Sequence, residues 1–212
     1  MSKLFDVQHQ LTFYGAYHSN RINILIHVIC VPILLCQNPS DLNPRRVRSF
    51  QVMGSQVPVP SFIPAIHHRF SDYLVFDLNV PAIHAAIYLA YYFALEPFAA
   101  LLYTPQLVLS LLTATAYAST AGHVTQAIIL HAFSWVAQFI GHGVAEKRAP
   151  ALLDNLIGAV VLAPFFVHLE ILFALGYRPE MHKQLNNEIG KEITKLRKAQ
   201  GDKRRAAATK EN

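Results

Sequence analysis

Eleven histidines sit in a chain of 212 residues that is 53% hydrophobic and only 15% charged. Ionisable groups inside apolar segments are costly, and where they persist they mark candidate sites. Two groups have spacing that could do chemistry. In the first, His131, Trp135, Gln138, His142 and Glu146 recur every three or four residues. At about 100° per residue they fall near 0°, 40°, 340°, 20° and 60°, a single stripe, provided the helix runs on through Gly141 and Gly143. A polar stripe on an apolar helix turns toward a bundle interior or a wet cavity. Packing alone satisfies two imidazoles and a carboxylate on one face poorly.

The second group is Tyr14, His18, Asn20, Asn23 and His27. Asn20, Asn23 and His27 share a helical face, at about 0°, 300° and 340°. His18 lies about half a revolution out of phase with His27 on a continuous helix. Both can serve one site only if a helix starts after His18, with Asn20 as its cap, and the preceding chain turns back.

Neutral imidazole suits iron, zinc, copper or nickel. Two or three histidines with a carboxylate and open positions form the pattern of non-haem Fe(II) that activates oxygen. No HExxH pattern for a zinc hydrolase is present, whereas haem held by two histidines fits the same residues. Spacing does not choose among these. The other histidines are weaker candidates. His67 and His68 fall in an expected loop, His84 and His123 near expected helix ends, His168 within PFFVHLE, and His9 and His182 at the periphery. Asp154 suits the first turn of a helix or a hydrogen bond to a ligating histidine, with Asn155 beside it. Cys30 and Cys36 carry no CxxC pattern and read as packing residues.

The elements that must position these groups are apolar helices. Leu78 to Ala145 hold one charged side chain, Glu96, in 68 positions. Water-soluble helices cannot cover a surface with so few charges, which points to an integral membrane protein. Leu4, Val7, Leu11 and Tyr14 recur at helical spacing and predict a short interfacial helix. The stretch has no small-residue cleavage site of a signal peptide. Ile22 to Ser40 is the first spanning candidate. Asn38 to Asp77, with its prolines and Arg45-Arg46-Val47-Arg48, predicts a long loop outside the bilayer. Pro81 to Glu96 begins a second helix. Pro105 is expected to open a third, Val124 to Ile140 forms a fourth, and Gly141 to Pro150 interrupts the pattern. Ala151 to Leu175 is the fifth, with Pro150 in its first turn and Pro164 inside it. A charged helix follows Gly176.

The fold expectation is therefore all-α: a membrane bundle of about four to five apolar helices, an N-terminal interfacial helix and a charged C-terminal helix. Residues 1–180 form the membrane-embedded unit, with 38–77 as a loop insertion, and 181–212 a basic cytosolic tail. The net charge of +5 resides in that tail, since Tyr177 to Asn212 hold ten Lys or Arg and five Asp or Glu. A basic segment after the last span fits the positive-inside rule and contact with anionic headgroups. It is no sign of nucleic-acid binding, because no aromatic–basic motif accompanies it. On these residues alone, a non-catalytic membrane protein that binds haem or metal through its histidines stands beside an enzyme.

The blocks YGAYHSNRINILIHVICVPILL and WVAQFIGHGVAEKRAPALLDNLIGAVVLAPFFVHLEILFALGY resemble the fungal 2-hydroxy fatty acid dioxygenases of the endoplasmic reticulum. The paired patterns YHxNxxNxxIH and QFxGHGxxEKRxPAL carry the resemblance, over about residues 4 to 37 and 125 to 182. Asn38 to Phe76 departs from the family pattern. The resemblance implies an Fe(2+)-dependent α-oxidation, in which a 2-hydroxy long-chain fatty acid and O2 give the acid one carbon shorter plus CO2. It also implies a role in phytosphingosine breakdown. Carried over, His18, His27 and His142 are the first-choice iron ligands, and His131 is a second-rank one. Glu146 is a carboxylate ligand or a group that orients a histidine. Asn20, Asn23 and Gln138 fix imidazole tautomers or bind the substrate's carboxylate and hydroxyl. Tyr14 and Arg148 are substrate-binding candidates. The implied location is the endoplasmic reticulum membrane, multi-pass, with the C-terminus cytosolic.

Overall fold

The computed structural model describes residues 3–35, 49–119, 122–147 and 156–211. The readings placed on Cys36, Arg148, Pro150, Asp154 and Asn155 lie outside them. A 3-10 turn, Lys3–Phe5, leads into α1 (Val7–Tyr17), whose first turn is capped by the Asp6 carboxylate accepting from His9 N–H. The helix ends at His18, which has non-helical dihedrals. Then α2 (Arg21–Leu35) begins, with the Asn20 Oδ1 accepting from Ile22 N–H as a cap.

Part of the expected loop, within residues 49–77, forms regular elements. It contains α3 (Ser49–Gly54) and an antiparallel hairpin, β1 (His67–Ser71) with β2 (Leu74–Asp77), paired from His67–Asp77 to Ser71–Leu74. Val52 is fully buried against Ala114 and Ala127, and Gln51 accepts a 2.7 Å hydrogen bond from Ser110. The all-α expectation therefore gains one small sheet. Prolines marked this stretch as loop, yet one inward valine and one buried amide are enough to dock a short helix.

Asn79 caps α4 (Val80–Leu95), and Glu96 separates it from α5 (Pro97–Ala118). The third apolar helix was expected to open at Pro105, but it opens at Pro97. Pro97 fits a first helical position, where its missing N–H costs nothing, and Pro105 is carried inside the helix. Glu96 is buried, pairs with Arg178 at 3.0 Å and accepts from the Tyr177 hydroxyl at 2.9 Å. A lone carboxylate in so apolar a stretch is tolerated because Arg178 balances its charge and Tyr177 donates a hydrogen bond to it.

Gly122, at φ +83°, turns the chain into α6 (His123–Ile140). The helix does not stop at Gly141 but continues as a π-helical segment, Gly141–Glu146. Within the expected interruption the chain thus first changes winding, through Glu146, and the helix then ends at Lys147. Next come α7 (Leu156–Ala174), containing Pro164, and α8 (Pro179–Glu211). The core stacks Tyr92 on Phe165 at 4.4 Å and includes Leu11, Tyr14, Leu162 and Leu169. Along α1, the charged α8 supplies buried Leu185 and, against Ala16 and Tyr17, Ile193 and Leu196.

Pro97–Ala118 and His123–Glu146 are long and apolar enough to cross a membrane, and α2, α4 and α7 are shorter apolar helices. Their outer faces carry exposed Leu25, Ile29, Ile87, Leu101, Ile129 and Phe133.

Candidate metal centre

Two local events bring the histidines together. The first is the break after Tyr17. His18 folds back, so that its ring stacks on Tyr14 at 4.1 Å with planes 5° apart, and its Nδ1 lies 2.8 Å from the Tyr14 carbonyl oxygen. Within the second turn of α2, His27 Nδ1 lies 2.9 Å from the Asn23 carbonyl oxygen. A carbonyl only accepts, so both Nδ1 atoms carry the proton and both Nε2 atoms present a lone pair. His18 Nε2 is buried and has no hydrogen-bond partner. That is an unusual condition for a buried polar atom, and a bound cation would relieve it.

The second event is the π-helical segment, which presents His142 to the same point. Ring centroids are 4.4 Å apart for His18 and His27, 4.8 Å for His18 and His142, and 5.0 Å for His27 and His142. All three side chains are buried, and their candidate ligand atoms lie within 4.8 Å of one another. Burial, followed by the neighbouring His27, holds the His18 pKa well below the usual imidazole range. His18 is therefore neutral at neutral pH, the protonation state that metal binding requires of a histidine. These residues fit a first-row divalent cation held by imidazole.

Close helix packing sets this geometry. Against Gly141, a Cβ would meet Asn23 Oδ1 at 2.5 Å and Ile26 Cδ1 at 3.1 Å, so glycine allows α2 and the end of α6 to approach. Asn23 is fully buried, and its Nδ2 donates to the Tyr17 carbonyl at 3.5 Å and to Glu146 Oε1 at 3.4 Å. Asn20 Nδ2 donates to the Ala145 carbonyl at 3.0 Å. Gln138 is buried one turn from His142 and donates to the Ser134 carbonyl at 3.1 Å.

Not every candidate joins the cluster. His131 is half-buried and its Nε2 accepts from Trp135 Nε1 at 3.0 Å, two turns or more from His142 along the helix. Glu146 lies outside the group of mutually close ligand atoms. Tyr14 forms the floor beneath His18 and also packs on Phe166 at 4.3 Å. His84 packs on Tyr88 and Phe50, His123 stacks on Tyr117, and His168 lies 3.1 Å from the Ala99 carbonyl, so these are packing or hydrogen-bonded histidines. Ser19 has no role in the sequence pattern, and Gly141 figures there only as a break, although both stand inside the two patterned blocks, each next to a histidine.

The model of the Mpo1-like family, described as 2-hydroxy-palmitic acid dioxygenase Mpo1-like, matches residues 4–175. Over 192 residues the chain is 32% identical to the 2-hydroxy-palmitic acid dioxygenase MPO1 of Saccharomyces cerevisiae, covering 88% of this chain and 91% of that protein. No solved structure matches.

Proposed function

This chain belongs to the Mpo1-like family, and from that premise we propose that it is an Fe(2+)-dependent dioxygenase acting on 2-hydroxy long-chain fatty acids. The reaction is RCH(OH)COOH + O2 → RCOOH + CO2 + H2O. Loss of the carboxyl carbon releases four electrons, which matches the reduction of O2 and needs no further reductant. The observation that carries the reading is the convergence of three buried imidazoles, from His18, His27 and His142, within 4.8 Å.

In this reading His18 and His27 hold the metal through Nε2, with Nδ1 tied to backbone carbonyls, and His142 completes the protein's ligand set. Bound iron supplies the redox chemistry that lets O2 react with a closed-shell substrate. The stacked Tyr14 ring fixes the plane of the His18 imidazole. Asn23, through its carbonyl, fixes the tautomer of His27. Gln138 stands on the same face as His142 and offers polar contact to the substrate's head. Arg148 follows in the chain and is proposed as the partner of the substrate carboxylate by its charge. His131 is a member of the polar stripe outside the ligand set.

The centre lies at the start of α2 and at the end of the apolar segment His123–Glu146. A bundle of five apolar helices in the endoplasmic reticulum membrane would put that end near the headgroups, with α8 on the cytosolic side. An acyl chain could then stay in lipid while its polar head enters the site. The test is turnover by the purified full chain with a 2-hydroxy C16 acid under O2. The expected result is the C15 acid and CO2 in equal amounts, abolished by an iron chelator. Oxygen uptake that ignores the 2-hydroxy group would reject the reading. A haem absorption band in the purified protein would favour a haem-binding role instead.

A further inference from the structure

Glu146 follows His142 by four residues, and it invites assignment as the carboxylate ligand of a facial triad. Its hydrogen bonds point elsewhere. Oε1 accepts from the backbone N–H groups of Ser19 and Asn20, both at 2.6 Å, and from Asn23 Nδ2 at 3.4 Å. Oε2 accepts from Ser19 Oγ at 3.0 Å. A carboxylate offers about four acceptor positions, and four donors meet it here, three on Oε1 and one on Oε2. Three of the four donors belong to the turn between α1 and α2, directly after His18, and the fourth, Asn23 Nδ2, comes from the first turn of α2. The two N–H groups from Ser19 and Asn20 stand at the start of α2, where a negative charge is favoured.

The chain around Glu146 is shaped for this reach. Gly141–Glu146 is wound as a π-helix, a rare form found frequently at functional sites. It ends at Lys147, a non-glycine residue in the left-handed region at φ +53°. Asn20 Nδ2 reinforces the junction by donating to the Ala145 carbonyl. We propose that Glu146 is not a metal ligand but a positioning residue. It clamps the Ser19–Asn20 turn to the π-helical segment and thereby holds His18 in register with His27 and His142, leaving three neutral imidazoles as the protein's ligands. This inference rests on the three-histidine metal reading above.

Co(II) binding to the detergent-solubilised full chain tests it, because the visible ligand-field bands report the donor set independently of turnover. Glu146→Gln keeps an amide oxygen for the Ser19 and Asn20 N–H groups. It should bind Co(II) with unchanged band positions and affinity within a few-fold of the wild type. Glu146→Ala removes the clamp and should weaken Co(II) binding by about 10–100-fold, with the band positions restored at saturating metal. Shifted bands in Glu146→Gln would make Glu146 a ligand and overturn the inference while leaving the metal centre standing. Should Glu146→Ala fail to fold, the Glu146→Gln bands still decide. Failure of the wild type to bind Co(II), or binding unaffected by His27→Ala, would instead reject the three-histidine reading and this inference with it.

Discussion

The imidazoles of His18 and His27 meet edge to face, with centroids 4.4 Å apart and planes at 80°. They approach because α1 stops at Tyr17 and α2 starts at Arg21, so His18 comes from the break between the helices and His27 from α2. Each is held at Nδ1 by a carbonyl of its own local turn. Removing either ring should leave two imidazoles and lower metal affinity by well over tenfold. His18→Ala and His27→Ala should each abolish turnover while helix content, followed by circular dichroism, is retained. Equal turnover in either variant would mean that the ring is a packing residue.

The approach of α2 to the π-helical segment depends on Gly141. Gly141→Ala forces a Cβ against Asn23 Oδ1, and overpacking of this kind costs about 1–3 kcal/mol. A Cβ at Gly143 meets nothing within 4 Å, so Gly143→Ala is the matched control and should be neutral or slightly stabilising. Thermal melting in detergent compares them. Equal melting temperatures would show that the helices do not need the close contact.

The C-terminal helix is part of the packed unit. Leu185 is buried in the main core, and Leu185→Ala should destabilise by about 2–5 kcal/mol. Lys191, whose partner Glu188 is one turn away on the surface, should tolerate alanine within about 0.5 kcal/mol. If Leu185→Ala melts like Lys191→Ala, α8 does not dock on α1.

Acid should unfold the metal-free protein early. Burial keeps His18 neutral in the folded state, with its pKa well below the ordinary 6.5. Below that ordinary value the unfolded chain binds more protons than the folded one. The stability contributed by the neutral His18 is thus present above about pH 6.5 and is lost progressively as pH falls toward the lowered folded value. His18→Ala should flatten this part of the profile. A wild-type melting temperature that does not change from neutral to mildly acidic pH would contradict the burial argument.

Much of this arrangement is legible in the sequence, for specific reasons. The need for a break after His18 follows from phase alone, and Asn20 as the cap follows from residue type. The apolar helices declare themselves by the near-absence of charge around Glu96. The α3 helix and the hairpin did not, because prolines hide a docking contact carried by Val52 and Gln51. The π-helical winding was equally hidden. Gly141 and Gly143 look like helix breakers, whereas Gly141 is a contact point, and nothing in residue type signals an i→i+5 ladder. For Glu146, spacing gave a residue on the histidine stripe. Only the acceptor geometry separates a metal ligand from a clamp on Ser19 and Asn20.

Metal analysis of the purified full chain bears most directly on the central claim, that His18, His27 and His142 form one metal centre. The account predicts about one iron per wild-type chain and a near-total loss in His142→Ala, with the variant still folded. Wild-type protein free of iron after purification under reducing, metal-replete conditions, or a His142→Ala variant with undiminished iron, would contradict it.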